Sequence, residues 1–335
     1  MARIIDVAKH AGVSVASVSR VLAGLPGVSE ETRARVQAAA KALDYRPDLA
    51  ARRLRSRRTD TIGLIVSDIR NPFFTEVSRA VEDMAYEHGQ RVILCNADED
   101  PEKEAFYLEL MRNENVSGVI LSPTLPLLSH FKAADYGFPI VLVDRCERGT
   151  EADAVVLDNL DAAYRLTEHL IERGYRKIAC LYGAASATGQ QRYEGYSQAM
   201  MRANLTLQGR ALRPAVAEAR GATLELLGGR QPPEALIASN GLLLLGIAEG
   251  VRELGLICPA QIAVAGFDDL PWVRLVDPGL TVVAQPTYDI GRAAIELLLQ
   301  RIAQPSQAVR RVVLRGDLIV RGSTAARAAT APAGA

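Results

Sequence analysis

The chain has 335 residues, 49% of them apolar and 23% charged, with a formal net charge of zero; this is a globular profile, longer than one ordinary domain. No apolar run approaches the roughly 18 residues of a membrane-spanning helix, and the N-terminus has no apolar signal core, so a cytoplasmic location is expected. The overall neutrality hides an asymmetry, because residues 1–58 hold twelve Lys or Arg against five Asp or Glu while the remainder holds 27 against 34. A basic head on an acidic body points to nucleic acid as a partner. Cys95, Cys146, Cys180 and Cys258 have neither metal-ligand spacing nor the density of a disulfide framework, and are expected as reduced thiols.

Ile4, Val7, Ala8 and Ala11 recur at helical spacing, and Gly12-Val13 interrupts them just before Ser14, a good N-cap residue. A second short helix is expected over 15–22 with Val18, Val21 and Leu22 inward, closed by Gly24-Leu25-Pro26-Gly27. Ser29 is placed to cap a third helix, whose first turn carries Glu30 and Glu31 and whose Val36, Ala39, Ala40 and Leu43 share a face. From Pro47 to Thr59 the chain is strongly basic and too poor in apolar residues to pack alone, so it is expected as a linker that becomes helical only conditionally.

An α/β alternation begins at Ile62. Strands are expected at 62–66, 92–95, 119–121 and 140–143, with helices at 73–87 and 102–112 between them. The rhythm restarts near Asn159 with helices at 159–172, 192–203 and 242–254 and strands at 178–181, 235–238 and 262–267. Buried parallel strands separated by helices specify a doubly wound arrangement. Two successive sets predict two lobes whose strand C-terminal ends face a shared cleft. The expected fold class is therefore α/β: a small all-α head followed by a two-lobed, doubly wound parallel-sheet core. The expected division is a head at 1–46, a linker at 47–59, a first lobe of 60–158 plus 288–316, a second lobe of 159–287 plus 317–323, and a disordered tail at 324–335 rich in Ala, Thr, Pro and Gly.

The head supplies what a helix-turn-helix needs, namely a glycine at the turn, an apolar residue after it and a recognition helix with a small or polar first turn. Asp6-Val7-Ala8, Ala11-Gly12-Val13-Ser14 and Ser17-Val18-Ser19-Arg20-Val21-Leu22 resemble the head of LacI/GalR regulators, and Val28-Ser29, Thr32-Arg33 and Leu43-Asp44-Tyr45-Arg46-Pro47 continue the likeness in register. The resemblance implies that Val15, Ala16 and Arg20 read the major groove, with Arg20 able to donate two hydrogen bonds to guanine. It makes Ser14, Ser17, Ser29 and Thr32 candidate phosphate contacts, alongside plain helix capping by Ser14 and Ser29. It also implies that residues 47–59 form a hinge helix, with Leu54 wedged into the minor groove and Ala51 and Arg55 beside it.

Along the core, the likeness extends over nearly all of residues 60–323 to the LacI/GalR core and to periplasmic ribose-type binding proteins. Asn71-Pro72-Phe73-Phe74 places two rings and an amide after the first core strand, and Asp144-Arg145, Asn240, Asp268 and Gln285 follow later strands. Arg192 is expected to open a helix. These nine positions, Asn71, Phe73, Phe74, Asp144, Arg145, Arg192, Asn240, Asp268 and Gln285, are expected to bind a small sugar-like ligand, since rings pack on sugar CH faces and polar groups pair with hydroxyls. Two departures bear on its identity. Gly241 stands where many relatives have a carboxylate, which with Arg145 and Arg192 retained favours a sugar acid over a neutral pentose such as ribose, the alternative. Ser186 stands where purine-sensing relatives have an Arg, so a purine corepressor is not expected.

No catalytic motif appears: there is no Gly-x-Ser-x-Gly elbow, phosphate-binding loop or His-Glu-x-x-His helix, and His10, His88, His130 and His169 are scattered. An enzyme or a solute-binding protein carrying such a head is the weaker alternative, and no metal or cofactor is expected. The resemblance implies a transcriptional regulator, a repressor by expectation, that binds a palindromic double-stranded DNA operator as a homodimer under allosteric control. A tetramer is not expected, because residues 324–335 lack a leucine seam and include a proline.

Overall fold

The computed structural model describes residues 2–22, 26–45, 59–147 and 149–326. The chain divides after Thr59 into two compact units. The linker expected at 47–59, with Ala51, Leu54 and Arg55, falls almost wholly outside the described residues, as does the chain beyond Ala326.

In the first unit, α1 (Ile4–Ala11), α2 (Val15–Leu22) and α3 (Glu30–Ala42) pack around Val7, Ala8, Ala11, Val18, Val21, Val36 and Ala39. Leu22, Ala40 and Leu43 are only half-buried against that core. Gly12 ends α1 at φ 62°, a left-handed conformation that costs glycine nothing. The turn is pinned by Arg35, whose Nη2 donates to the carbonyls of both Ala11 and Gly12.

The second unit contains two six-stranded sheets. Its elements run β1 (Thr61–Val66), α4 (Pro72–Glu87), β2 (Arg91–Asn96), α5 (Pro101–Asn113), β3 (Gly118–Leu121), α6 (Leu125–Leu128), β4 (Ile140–Val143), β5 (Asp153–Leu157), α7 (Asn159–Glu172), β6 (Ile178–Gly183), α8 (Ala187–Arg202), β7 (Gln208–Leu212), α9 (Val216–Leu227), β8 (Ala235–Ala238), α10 (Gly241–Glu253), β9 (Ala263–Phe267), β10 (Thr281–Ala284), α11 (Thr287–Ala303), β11 (Arg311–Leu314) and β12 (Asp317–Ile319). The sheet orders are β11-β5-β4-β3-β1-β2 and β12-β10-β9-β8-β6-β7. They are the same topology used twice, with all neighbours parallel except β12, which runs antiparallel to β10. The central strands β1, β3, β4, β8 and β9 are buried throughout, which is why each, after Thr61 in β1, reads as a run without polar side chains.

Three segments pass between the sheets: Leu157 to Asn159, Ala284 to Thr287, and Leu314 to Asp317. They lie close together, since Asp158 N–H donates to the Leu314 carbonyl at 2.8 Å and a Cβ built on Gly316 would lie 3.0 Å from the Ala284 carbonyl oxygen.

Several elements depart from expectation. Arg192 does not open its helix: α8 begins at Ala187, capped by Ser186, whose oxygen accepts from Gly189 N–H. Ala-Thr-Gly at 187–189 reads as loop, yet Gly189 is required because a Cβ there would come 2.3 Å from the Gly183 carbonyl. The unanticipated β5 is masked by its leading Asp153, which is buried and ion-paired to Arg301. The unanticipated β7 is an exposed edge strand of weak apolar pattern. Thr324 is not part of a loose tail: it is buried, and its hydroxyl meets His169 Nε2 at 2.9 Å and the Thr281 hydroxyl at 2.7 Å. All four thiols are free, with Cys258 only half-buried; burial pushes those of Cys95, Cys180 and Cys258 up.

Candidate functional site

The head presents its second helix outward. Val15 is 39% exposed, and Ala16 and Arg20 are exposed beside it, while Val18 and Val21 face the core. Ser14 Oγ accepts from Ser17 N–H at 3.1 Å and pairs with the Ser17 hydroxyl at 2.9 Å. Ser29 Oγ accepts from Thr32 N–H at 3.3 Å and donates to the Thr32 hydroxyl at 3.0 Å. Both serines therefore cap helices. Their capping places Ser14, Ser17, Ser29 and Thr32 at two helix N-termini, where N–H groups and the helix dipole favour phosphate oxygens.

The core holds a cavity of about 460 Å3 on whose wall all nine expected ligand positions lie, within the range of small-molecule sites. Asp144 and Asp268 occupy equivalent places in the two lobes, each just after the fourth strand of its lobe. Both have left-handed backbones, φ 70° and 76°, and each N–H donates to the neighbouring strand, at Val155 and Val283. Phe73 and Phe74 meet edge to face at 5.0 Å; both also belong to the apolar core of the first lobe. Asn71 and Asn240 cap α4 and α10 by accepting from Phe73 N–H at 3.1 Å and Leu243 N–H at 2.9 Å, so each keeps its amide donors for other partners.

The two buried guanidiniums differ sharply. Arg145, 4% exposed, donates from Nε to Asp144 at 3.0 Å, from Nη1 to Glu99 at 2.7 Å and to the Pro123 carbonyl at 3.2 Å, and from Nη2 to the second Glu99 oxygen. Burial works against its charge, but Glu99 and Asp144 outweigh burial and raise its pKa. Arg192 instead uses neutral acceptors: Asn159 Oδ1 at 2.8 Å, the Ser239 carbonyl at 2.6 Å and Gln285 Oε1 at 3.2 Å. Its guanidinium also lies 4.0 Å from the centre of the Phe267 ring. Burial lowers its pKa, against the pull of Asp268 and Asp144 at longer range. Burial likewise raises Asp144, against Arg145 and Arg192.

The sequence reading missed the third carboxylate in this cluster. Glu99 lies three residues past the end of β2, and its signal was the run Asp98-Glu99-Asp100 before Pro101. With Asp68, Arg70, Asp98 and Arg213 also on the wall, five carboxylates face four guanidiniums. Asp268 accepts from Gln285 Nε2 at 2.6 Å on one oxygen and from Gly241 N–H at 2.8 Å on the other, which leaves each oxygen able to accept once more. Ser186 and Thr188 line the cavity with their hydroxyls paired at 2.7 Å. Among the described residues, no group of three or more His, Cys, Asp or Glu side chains is placed to hold a metal ion, and no helix is long and apolar enough to cross a membrane.

Comparison with known proteins agrees with this architecture. The family model "Bacterial regulatory proteins, lacI family" matches residues 3–48 and "Periplasmic binding protein-like domain" matches residues 167–324. The HTH-type transcriptional regulator PtxS of Pseudomonas aeruginosa is 36% identical over 322 residues, covering 95% of this chain and 94% of the relative. The ribose operon repressor of Halalkalibacterium halodurans is 36% identical over 325 residues, covering 97% of both. Among solved structures, the Lac repressor dimer bound to operator and the anti-inducer ONPF superposes with a TM-score of 0.87 at 25% identity, over 97% of this chain and 99% of that one. A complex of the transcriptional regulator CelR with cellobiose gives 0.70 at 29% identity, over 96% and 100%. Head, core and relatives together define a DNA-binding transcription regulator with a ligand-binding core of the periplasmic-binding-protein type. The chain belongs to the LacI family of bacterial regulatory proteins.

Proposed function

We propose that this regulator is a homodimeric, cytoplasmic repressor of genes for carbohydrate use, not an enzyme, and that its effector is a neutral monosaccharide of the aldopentose class. The observation that carries the ligand is the matched pair Asp144 and Asp268, set at equivalent strand ends on the wall of one cavity. Carboxylates accept from sugar hydroxyls, Arg192 and the amides of Asn71 and Asn240 donate to sugar oxygens, and Phe73 and Phe74 supply a ring surface.

The sugar acid favoured by counting Arg145 and Arg192 against Asp144 and Asp268 loses ground once Glu99 is included, because Arg145 is then spent on two carboxylates. It stays as a second reading on one observation: Arg192 has no carboxylate within ion-pair reach among the described residues. A ribose operon repressor among the relatives, and a solved LacI-family regulator from Enterococcus faecium with bound ribose at 28% identity, support the neutral pentose.

For the DNA side, Val15, Ala16 and Arg20 read bases in the major groove, and Ser14, Ser17, Ser29 and Thr32 contact phosphates. Ala51, Leu54 and Arg55 form the minor-groove element of the linker. The Lac repressor dimer on operator supports a dimer on a palindromic site. The deciding experiment combines thermal-shift screening of ribose, other pentoses, hexoses and their acids with a mobility-shift assay on operator DNA. Ribose is expected to raise the melting temperature by mass action and to alter operator affinity. Stabilisation by acids alone overturns the neutral-sugar reading, and operator binding no tighter than random DNA overturns the regulator.

A further inference from the structure

We propose that Glu99 sets the charge selectivity of the cavity, by closing the Arg145 guanidinium with a two-point ion pair so that the site takes neutral sugars and rejects their acids. This rests on the sugar-sensing reading above and adds the residue that decides between its two versions. A guanidinium has five N–H donors, and its fork matches a carboxylate in two-point geometry. In Arg145 four of the five are committed, to Asp144, to both oxygens of Glu99 and to the Pro123 carbonyl. A ligand carboxylate arriving at Arg145 meets a fork already occupied by a carboxylate of the protein. The Glu99 side chain is one-third exposed while that of Arg145 is 4% exposed, so Glu99 is the nearer of the two to solvent and presents negative charge where an acid would enter.

The position of Glu99 is built rather than incidental. Asp98 and Glu99 both have left-handed backbones, φ 54° and 58°, a conformation that side chains other than glycine, asparagine or aspartate rarely adopt. It is held from several directions. Ala97 N–H donates to the Val66 carbonyl at 2.9 Å and Glu99 N–H to the Ser67 carbonyl at 3.0 Å, tying the turn to the end of β1. Asp98 accepts from Asn96 Nδ2 at 2.8 Å and Lys103 Nζ at 2.6 Å, and Asp100 caps α5. The turn between β2 and α5 thus delivers Glu99 to Arg145 from a sequence distance of 46 residues. Glu99 acts on the ligand through Arg145 and through charge, as a positioning residue.

The test is isothermal titration of the full-length protein with D-ribose and D-ribonate, in wild type and in Glu99→Gln, Glu99→Asn and Glu99→Asp. Glu99→Asn serves as a second neutral variant because asparagine tolerates a left-handed backbone, should Glu99→Gln fail to fold. Wild type is expected to bind ribose tighter than ribonate. Either neutral variant should shrink that ratio by roughly tenfold or more, the scale of a charge-assisted hydrogen bond, whereas Glu99→Asp should stay within about threefold of wild type because it keeps the charge. A purely structural role would weaken both ligands together and leave the ratio in place. An unchanged ratio in the neutral variants, or a Glu99→Asp ratio as low as theirs, overturns the role of Glu99. Wild-type binding of ribonate but not ribose, or of neither, overturns the pentose reading itself.

Discussion

Arg192 donates from Nε to the side-chain oxygen of Asn159 at 2.8 Å, and so joins the cavity wall to the first place where the chain passes between lobes. Asn159 is held in turn by Gln191 Oε1 at 3.1 Å and the Leu157 carbonyl at 3.3 Å. Gln285, on the second crossing, accepts from Arg192 and donates to Asp268. A ligand that engages Arg192 therefore acts on two of the three segments about which the lobes can reorient. Such segments are where closure around a ligand is absorbed.

Asn159→Ala should therefore blunt the response more than the binding. The operator affinity of the ligand-free protein is expected to stay within about twofold of wild type. The change in that affinity produced by effector should shrink by about 1 kcal/mol, out of the 1 to 3 kcal/mol typical of allosteric coupling. Mobility shifts with and without saturating ribose measure both, and an undiminished response in the variant rules out this route.

On the DNA side, Arg20→Ala should cost about 1 to 3 kcal/mol of operator affinity and relax preference at one base pair, because a guanidinium at an exposed recognition-helix position reads a guanine by two hydrogen bonds. Leu54→Ala should weaken binding to the specific site while ribose binding persists, through loss of a minor-groove wedge. Binding to a panel of single-base operator variants checks the first, and an unaltered preference profile in Arg20→Ala means that another residue reads that base.

A further expectation concerns packing. Gly195 of α8 faces α7 so closely that a Cβ there would lie 2.2 Å from the Leu160 carbonyl and 3.0 Å from Tyr164 N. Backbone atoms cannot yield as a flexible side chain would, so Gly195→Ala should destabilise the core by about 1 to 3 kcal/mol. Thermal denaturation of the variant measures this, and an unchanged melting temperature would show that the helices separate freely.

The pH dependence of stability has a named contributor in His169. Burial, with Arg173 adding to it and Glu172 opposing, lowers its pKa below the ordinary histidine value, and its Nε2 meets the Thr324 hydroxyl. The unfolded chain takes up the proton as pH falls through about 6.5, whereas the folded chain takes it up only at lower pH. Stability is therefore lost as pH falls between those two points and is fully present above the upper one. The melting temperature should fall less steeply from pH 7.5 to 5.5 in His169→Gln than in wild type. Parallel profiles would assign the dependence elsewhere.

How much of this was legible in the sequence varies with the kind of interaction. Strands such as Ile140–Val143 and Ala235–Ala238 stand out because covering both faces demands an apolar residue at every position. Helix α2 is equally plain from Ser14 at its start. Asp153–Leu157 hides because its first residue is a buried charge, and buried charge is legible only once its partner, Arg301, is known. Most of the nine cavity positions are local signals: Asp144, Arg145, Asn240, Asp268 and Gln285 follow strand ends closely, and Asn71, Phe73 and Phe74 stand at a helix start, whereas Arg192 lies within α8. Glu99 is a contact across 46 residues of chain, and nothing in its own neighbourhood announces Arg145. Charge counts along a sequence miss such pairs because they cannot tell a free guanidinium from a spent one.

The same blindness affects Gly241, which in sequence looks like a carboxylate removed from the site. In the structure its N–H donates to Asp268 Oδ2 at 2.8 Å, and a Cβ built there would lie 3.1 Å from that oxygen and 2.8 Å from Leu270 Cδ1. Gly241→Asp would thus set a second carboxylate against Asp268, within the few ångströms at which two like charges disfavour each other's ionised form. It would also crowd Leu270, behind the start of α10. The expected outcome is loss rather than gain: ribose affinity falls by about tenfold, and Gly241→Asn, which adds similar bulk without charge, loses less. Titration calorimetry on both variants separates charge from crowding. Ribose bound more tightly by Gly241→Asp than by wild type would mean that the carboxylate reaches the ligand instead of Asp268, and that the glycine is a missing ligand group after all.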